Sequence, residues 1–158
     1  MDISNEEGLR AAMETLGGLR APASEQALAA AEKEIGVEFP DLLRRMYRIS
    51  DGLDHEDGLF FPLIAKEEDY GNGLLTQWRD YRENMCVEED GGAEGYIGTD
   101  AYPIGSVFGD ADTFVLRTNQ PGVFEHYPDD GCLGKRCASV EAWLQSWLKG
   151  EEPGDEDE

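Results

Sequence analysis

The sequence predicts an α+β fold, with N-terminal helices packed on a mixed or antiparallel sheet and one closing C-terminal helix. Three observations predict it. Helical apolar periodicity runs through residues 5–49, β-branched and aromatic stretches occupy 96–128, and one more helical pattern covers 139–148. Helices, then strands, then a single helix is not the βαβ alternation of a parallel sheet.

Leu9, Ala12, Met13 and Leu16 fall at i, i+3, i+4 and i+7 and so share one helical face. Ser4 is the expected N-cap of that helix, and Gly17-Gly18 its end. A second helix is expected after Ser24, burying Leu28, Ala31 and Ile35 and stopping at Gly36, which can take the left-handed C-terminal conformation. Pro40 can open a third helix, since a first-turn residue needs no intrahelical N–H partner. That helix would bury Leu42, Leu43, Met46, Tyr47 and Ile49, leave Arg44, Arg45 and Arg48 largely on its other side, and close at Gly52.

An acidic loop, DGLDHEDG, is expected over 51–58, then a short strand or buried extended segment at Leu59-Phe60-Phe61-Pro62-Leu63. Leu74, Trp78, Tyr81 and Met85 suit a fourth helix over 74–85, and EEDGGAEG (88–95) reads as a loop. Strands are expected at 113–116 and 123–127, joined by the turn Asn119-Gln120-Pro121-Gly122, with Tyr96, Ile97 and Ile104 flanking turns. Ser139 caps a last helix carrying Val140, Trp143, Leu144, Trp147 and Leu148, which Gly150 ends.

The length of 158 residues suits one domain, expected over 1–150, and EEPGDEDE (151–158) is expected to be a disordered acidic tail. The tail alone does not explain the charge. The net of −22 becomes −16 without it, because 29 acids still face 13 Lys and Arg. A field of that sign repels nucleic acid and anionic membranes and attracts basic proteins, raising their association rates by about 10 to 10³. The three cysteines, Cys86, Cys132 and Cys137, cannot all pair within one chain. The opening MDISNEEGLR has no apolar run of a signal peptide, and no stretch is long enough to span a membrane. Together these point to a cytoplasmic protein with reduced thiols.

No catalytic, cofactor or metal pattern emerges. Counting back from Gly58 or Gly91 fails the EF-hand spacing. His126, Cys132 and Cys137 lack a C-x-x-C pair for zinc. Gly105-Ser106-Val107-Phe108-Gly109 puts its serine one place too early for a nucleophile elbow, and Gly71-Asn72-Gly73 lacks the third glycine of a dinucleotide loop. Cys137 follows Lys135-Arg136, whose charge would favour a thiolate, so Cys137 with His126 is the best enzymatic pair on offer. The arginines of LRRMYR (43–48) suit the flank of a core helix better than a phosphate site. What remains is a charged surface. Asp54, Glu56, Asp57, Asp110, Asp112, Asp129 and Asp130 lie in loops and are the candidate partner-binding residues, with Tyr96 and Tyr102 as aromatic anchors.

One stretch carries a family likeness. Glu32, Ile35-Gly36, Phe39-Pro40, Leu42-Leu43, Ile49 and Asp51-Gly52 resemble the signature of the SUKH superfamily, the Smi/Knr-type domains, with Asp51 where Asn is commoner. PIGSVFGDADTFVLRT (103–118) resembles that family's strand, polar turn and strand, and SVEAWLQSWL (139–148) its closing helix, so the likeness spans roughly 20–148. The resemblance implies helices on a mixed or antiparallel sheet and no catalytic residues. It further implies a binding role: bacterial members commonly act as immunity proteins against a cognate toxin, often a nuclease or deaminase, and fungal relatives as regulatory adaptors. The expected partner is therefore a basic protein, a toxin domain in the first case.

Overall fold

The computed structural model describes residues 2–54, 60–66, 73–80, 101–106, 113–118, 120–127 and 132–150. In chain order these form α1 (Glu6–Leu16), β1 (Gly18–Leu19), α2 (Glu25–Ile35), α3 (Asp41–Ile49), β2 (Leu53–Asp54), α4 (Leu74–Asp80), β3 (Ala101–Ser106), β4 (Thr113–Arg117), β5 (Val123–Tyr127), β6 (Cys132–Cys137) and α5 (Val140–Leu148). The α+β expectation holds, and its sheet is resolved as antiparallel: β3-β4-β5-β6 form a meander, and β1 pairs separately with β2.

Local chemistry sets the helix ends. The α1 cap is Asn5, one residue later than expected; its Oδ1 accepts from Gly8 N at 2.7 Å. Ser4 instead turns its hydroxyl and amide to the Asp2 carboxylate, which lowers the Asp2 pKa. Ser24 and Ser139 cap α2 and α5 as anticipated, each accepting the amide three residues on. Pro40 sits at the cap of α3 rather than inside it, and α3 stops at Ile49, ahead of Gly52. The stretch expected as an acidic loop enters strand β2 at Leu53 and Asp54. Described helix α4 reaches Asp80; Tyr81, Met85 and Leu59 lie outside the described residues, as do Tyr96, Ile97 and the 88–95 loop.

Two strands read differently from the sequence. Ile104, expected beside a turn, is interior to β3, and 132–137, where no strand is expected from the sequence, is β6. CLGKRC carries no β-branched or aromatic residue, so β6 is held by its pairing to β5 rather than by propensity. The 60–63 segment is buried but pairs as no strand. It still bridges the two sheets, because Leu53 N donates to Phe60 O at 3.1 Å and Phe61 N to Ile104 O at 2.9 Å.

Helices cover one face of the meander. Tyr102, Ile104, Phe114, Leu116, Val123 and Cys137 join the core that Leu9, Met13, Leu43 and Met46 supply from α1 and α3. Helix α5 packs on α1, α3 and β6, while α4 packs on β3. Tyr47 ties these layers together. It is fully buried, stacks on Phe60 at 4.9 Å, and donates its hydroxyl to Phe61 O at 2.8 Å; burial raises its pKa well above the usual tyrosine value. Tyr47→Phe would strand that carbonyl in the core, and we expect a loss of about 1–3 kcal/mol, read as a lower urea midpoint at unchanged slope.

Candidate functional site

The helical corner that carries the family likeness is built from inward-facing bonds. Gly36 ends α2 with φ of 85°, turning the chain toward Phe39-Pro40. Glu32, one turn earlier, reaches across that turn. Its Oε2 accepts Phe39 N at 2.8 Å and Arg44 Nε at 2.8 Å, so one carboxylate locks the turn to α3. The same bond raises the pKa of the Arg44 guanidinium. Phe39 then stacks on Tyr102 of β3 at 5.5 Å. Past α3, Asp51 Oδ1 accepts Leu63 N at 2.9 Å, and its own amide donates to Ala21 O at 3.0 Å. Ser50 accepts Arg20 N at 2.7 Å and donates to Gly52 O. These are structural roles, each bond tying one segment of the corner to another.

The arginines on the other face of α3 also serve the fold. Arg45 donates to Ile3 O at 2.7 Å, and Arg48 holds Glu25 through two contacts of 2.8 and 3.1 Å. Between α1 and α3 they border a groove of about 410 Å³. Leu9, Pro22, Ala23 and Ile49 form its apolar lining, and Glu6 and Glu25 complete its rim. Sequence reading missed this groove because its parts come from three separate segments. The one available signal was the spacing of Arg45 and Arg48, three apart and hence on one side of α3.

The enzymatic pair is not assembled. Register places His126 opposite Thr113 and Leu133, but Cys137 opposite Val123. Three strand residues along β5 separate those positions, roughly 10 Å at the usual rise, with a register shift between Val123 and Phe124. Both side chains are buried. Tyr102, expected as an exposed anchor, is buried in β3 with only 1% exposure, and burial raises its pKa. Among the described residues, no group of three or more His, Cys, Asp or Glu is placed to hold a metal ion. Nor is any described helix long and apolar enough to cross a membrane.

Of the candidate binding acids, Asp54 has its backbone on β2, paired with Gly18. Glu56, Asp57, Asp110, Asp112, Asp129 and Asp130 lie outside the described residues, as does Tyr96. Their flanking strand ends are placed, however. Ser106 pairs with Thr113, Thr113 with His126, and Tyr127 with Cys132, so the β3–β4 and β5–β6 connections depart from the same end of the meander. The β4–β5 hairpin, with Gly122 at φ of 110°, closes the opposite end.

The profile of the SMI1 / KNR4 family (SUKH-1) matches residues 22–146, which include the Glu32–Gly52 corner, the meander and most of α5. No curated protein matches the chain.

Proposed function

The chain belongs to the SMI1/KNR4 family (SUKH-1), and on that premise we propose that it is a non-enzymatic protein-binding module of the immunity type. It captures a cognate bacterial toxin domain of the nuclease or deaminase class and blocks it. Family membership over 22–146 carries this reading. Charge supports the choice of partner. A body of −16 favours a basic surface, and a toxin that grips phosphate presents one.

The acidic connections at one end of the meander support a location. Asp110 and Asp112 belong to one, Asp129 and Asp130 to the other, and with Asp54, Glu56 and Asp57 they form the binding surface we assign. Tight inhibition requires about 1,200–2,000 Å² of buried interface with a few anchoring side chains, and the charges then serve speed and selectivity more than net affinity.

Co-expression with the product of the neighbouring gene tests the reading. The expected result is a stable complex and restored growth of a host poisoned by that gene product. Failure to bind or protect against any linked toxin overturns it, and capture of a signalling or structural protein instead would establish the adaptor role in its place. The charge component has its own test. Changing Asp110, Asp112, Asp129 and Asp130 together to Asn should slow association about tenfold at low salt, with the difference vanishing at high salt. Equal rates at low salt would remove these acids from the interface.

A further inference from the structure

Helix α2 has a small apolar anchor. Its buried residues are Leu28 and Ala31, whereas α3 buries Leu42, Leu43, Met46, Tyr47 and Ile49. Three arginines from other helices grip α2, each with a two-pronged contact to a glutamate. Arg44 Nε and Nη2 reach Glu32 at 2.8 and 3.4 Å. Arg48 reaches Glu25 at 2.8 and 3.1 Å, and Arg79 reaches Glu34 at 2.7 and 2.8 Å.

The placement of these forks is systematic. Arg44 near the start of α3 meets Glu32 near the end of α2, and Arg48 near the end of α3 meets Glu25 at the start of α2. The helix pair is therefore clipped at both ends. Arg79 of α4 adds a third clip in the last turn of α2. Two of the clips face water: the Arg48 and Glu25 side chains are 48% and 68% exposed, those of Arg79 and Glu34 50% and 35%. Such pairs weaken as salt rises. The chain on either side of α2 is fixed by other means. Ala23 N donates to Tyr47 O at 2.9 Å, Asp51 N to Ala21 O at 3.0 Å, and Phe39 stacks on Tyr102 at 5.5 Å. An isolated helix of 11 residues is marginal in water, so α2 depends on what holds it between those two fixed ends.

We propose that α2 is an electrostatically latched helix, one that opens as a unit ahead of the rest of the fold when its arginine–glutamate forks are screened. Opening parts it from α3 and α4 and uncovers Leu28 and Ala31, while the flanks at 21–23 and at Phe39 stay bound. The charge of the whole chain makes this response distinctive. A net of −22 repels itself, and screening that repulsion favours the compact state. Around α2 the local interaction is attractive, so the same salt favours its release. Ionic strength thus acts with opposite signs on the fold and on this helix. The inference holds whether or not the chain binds a toxin.

Native-state hydrogen exchange of the full chain tests it. Protection of the amides of residues 28–33 is compared with that of Phe114, Val115 and Phe124 in the meander, at about 0.05 M and about 1 M NaCl. The expected result is that protection in α2 starts below that of the meander and falls roughly three- to tenfold in the higher salt, as weakened exposed ion pairs would give. Protection of the meander amides should hold or rise. The double variant Arg48→Gln/Arg79→Gln should lower α2 protection roughly two- to tenfold in low salt and flatten its salt response, leaving the meander near the parent value. Protection of α2 that rises with salt in step with the meander would overturn the proposal. So would α2 amides as protected as those of the meander, or α2 protection unchanged in the double variant.

Discussion

Gly52→Ala is expected to lower the unfolding free energy by more than about 3 kcal/mol, whereas Gly36→Ala should cost only about 1 kcal/mol. Both glycines occupy the left-handed region, with φ of 86° and 85°. An L-residue there carries a penalty of about 1–2 kcal/mol, partly offset because alanine also restricts the unfolded chain. The surroundings differ. A Cβ at Gly36 would meet nothing within 4 Å, while one at Gly52 would stand 2.7 Å from Pro62 N and 3.0 Å from Pro62 Cα. Those are backbone atoms and cannot rotate aside. The neighbouring bonds of Asp51 to Leu63 and Ala21, and of Ser50 to Arg20, would have to move with them. The pair of variants therefore separates dihedral strain from steric blockage. Equal losses in urea unfolding would show that Pro62 yields easily and that the close approach has no energetic weight.

The same corner shows how far the residues alone lead. Periodicity located α1, α2, α3 and α5, because each buries an apolar stripe, and Gly36 marks the end of α2 through its left-handed conformation. Asn5 rather than Ser4 became the first cap because Asp2 competes for the Ser4 hydroxyl, a contact that helix patterning does not encode. Strand β6 was hidden for a related reason: Lys135, Arg136 and Gly134 suit a loop, yet β5 supplies a pairing edge and Arg136 Nε finds Glu125 at 2.9 Å. Tyr102 looked like a loop aromatic, and only the sheet register brings it onto Phe39. The groove was least legible of all, since neither Leu9, Ala23 nor Arg48 signals it separately.

Glu32, Phe39, Asp51 and Gly52, the residues that carry the family likeness, are each engaged in intramolecular bonding or packing, so in this chain they specify the corner. Function resides in sites placed on a fold, and these residues build the fold.

Trp143→Ala is expected to be the most damaging core substitution, at about 3–5 kcal/mol. Set against a usual total of about 5–15 kcal/mol for a domain, such a loss would leave a marginal fold. Trp143 is 1% exposed on the inner face of α5, and its ring meets Phe114 of β4 edge-on at 6.2 Å; Trp147 meets the same phenylalanine at 6.0 Å. Helix α5 joins α1, α3 and β6, so an indole-sized void there loosens the helical layer and the sheet at once. Trp143→Phe provides the contrast. The indole Nε1–H has no hydrogen-bond partner among the described residues, so removing it relieves an unmet buried donor while part of the ring volume remains. We expect that change to cost no more than about 1–2 kcal/mol. Urea unfolding followed by circular dichroism measures both, and a phenylalanine variant as unstable as the alanine one would show that the indole N–H is bonded after all.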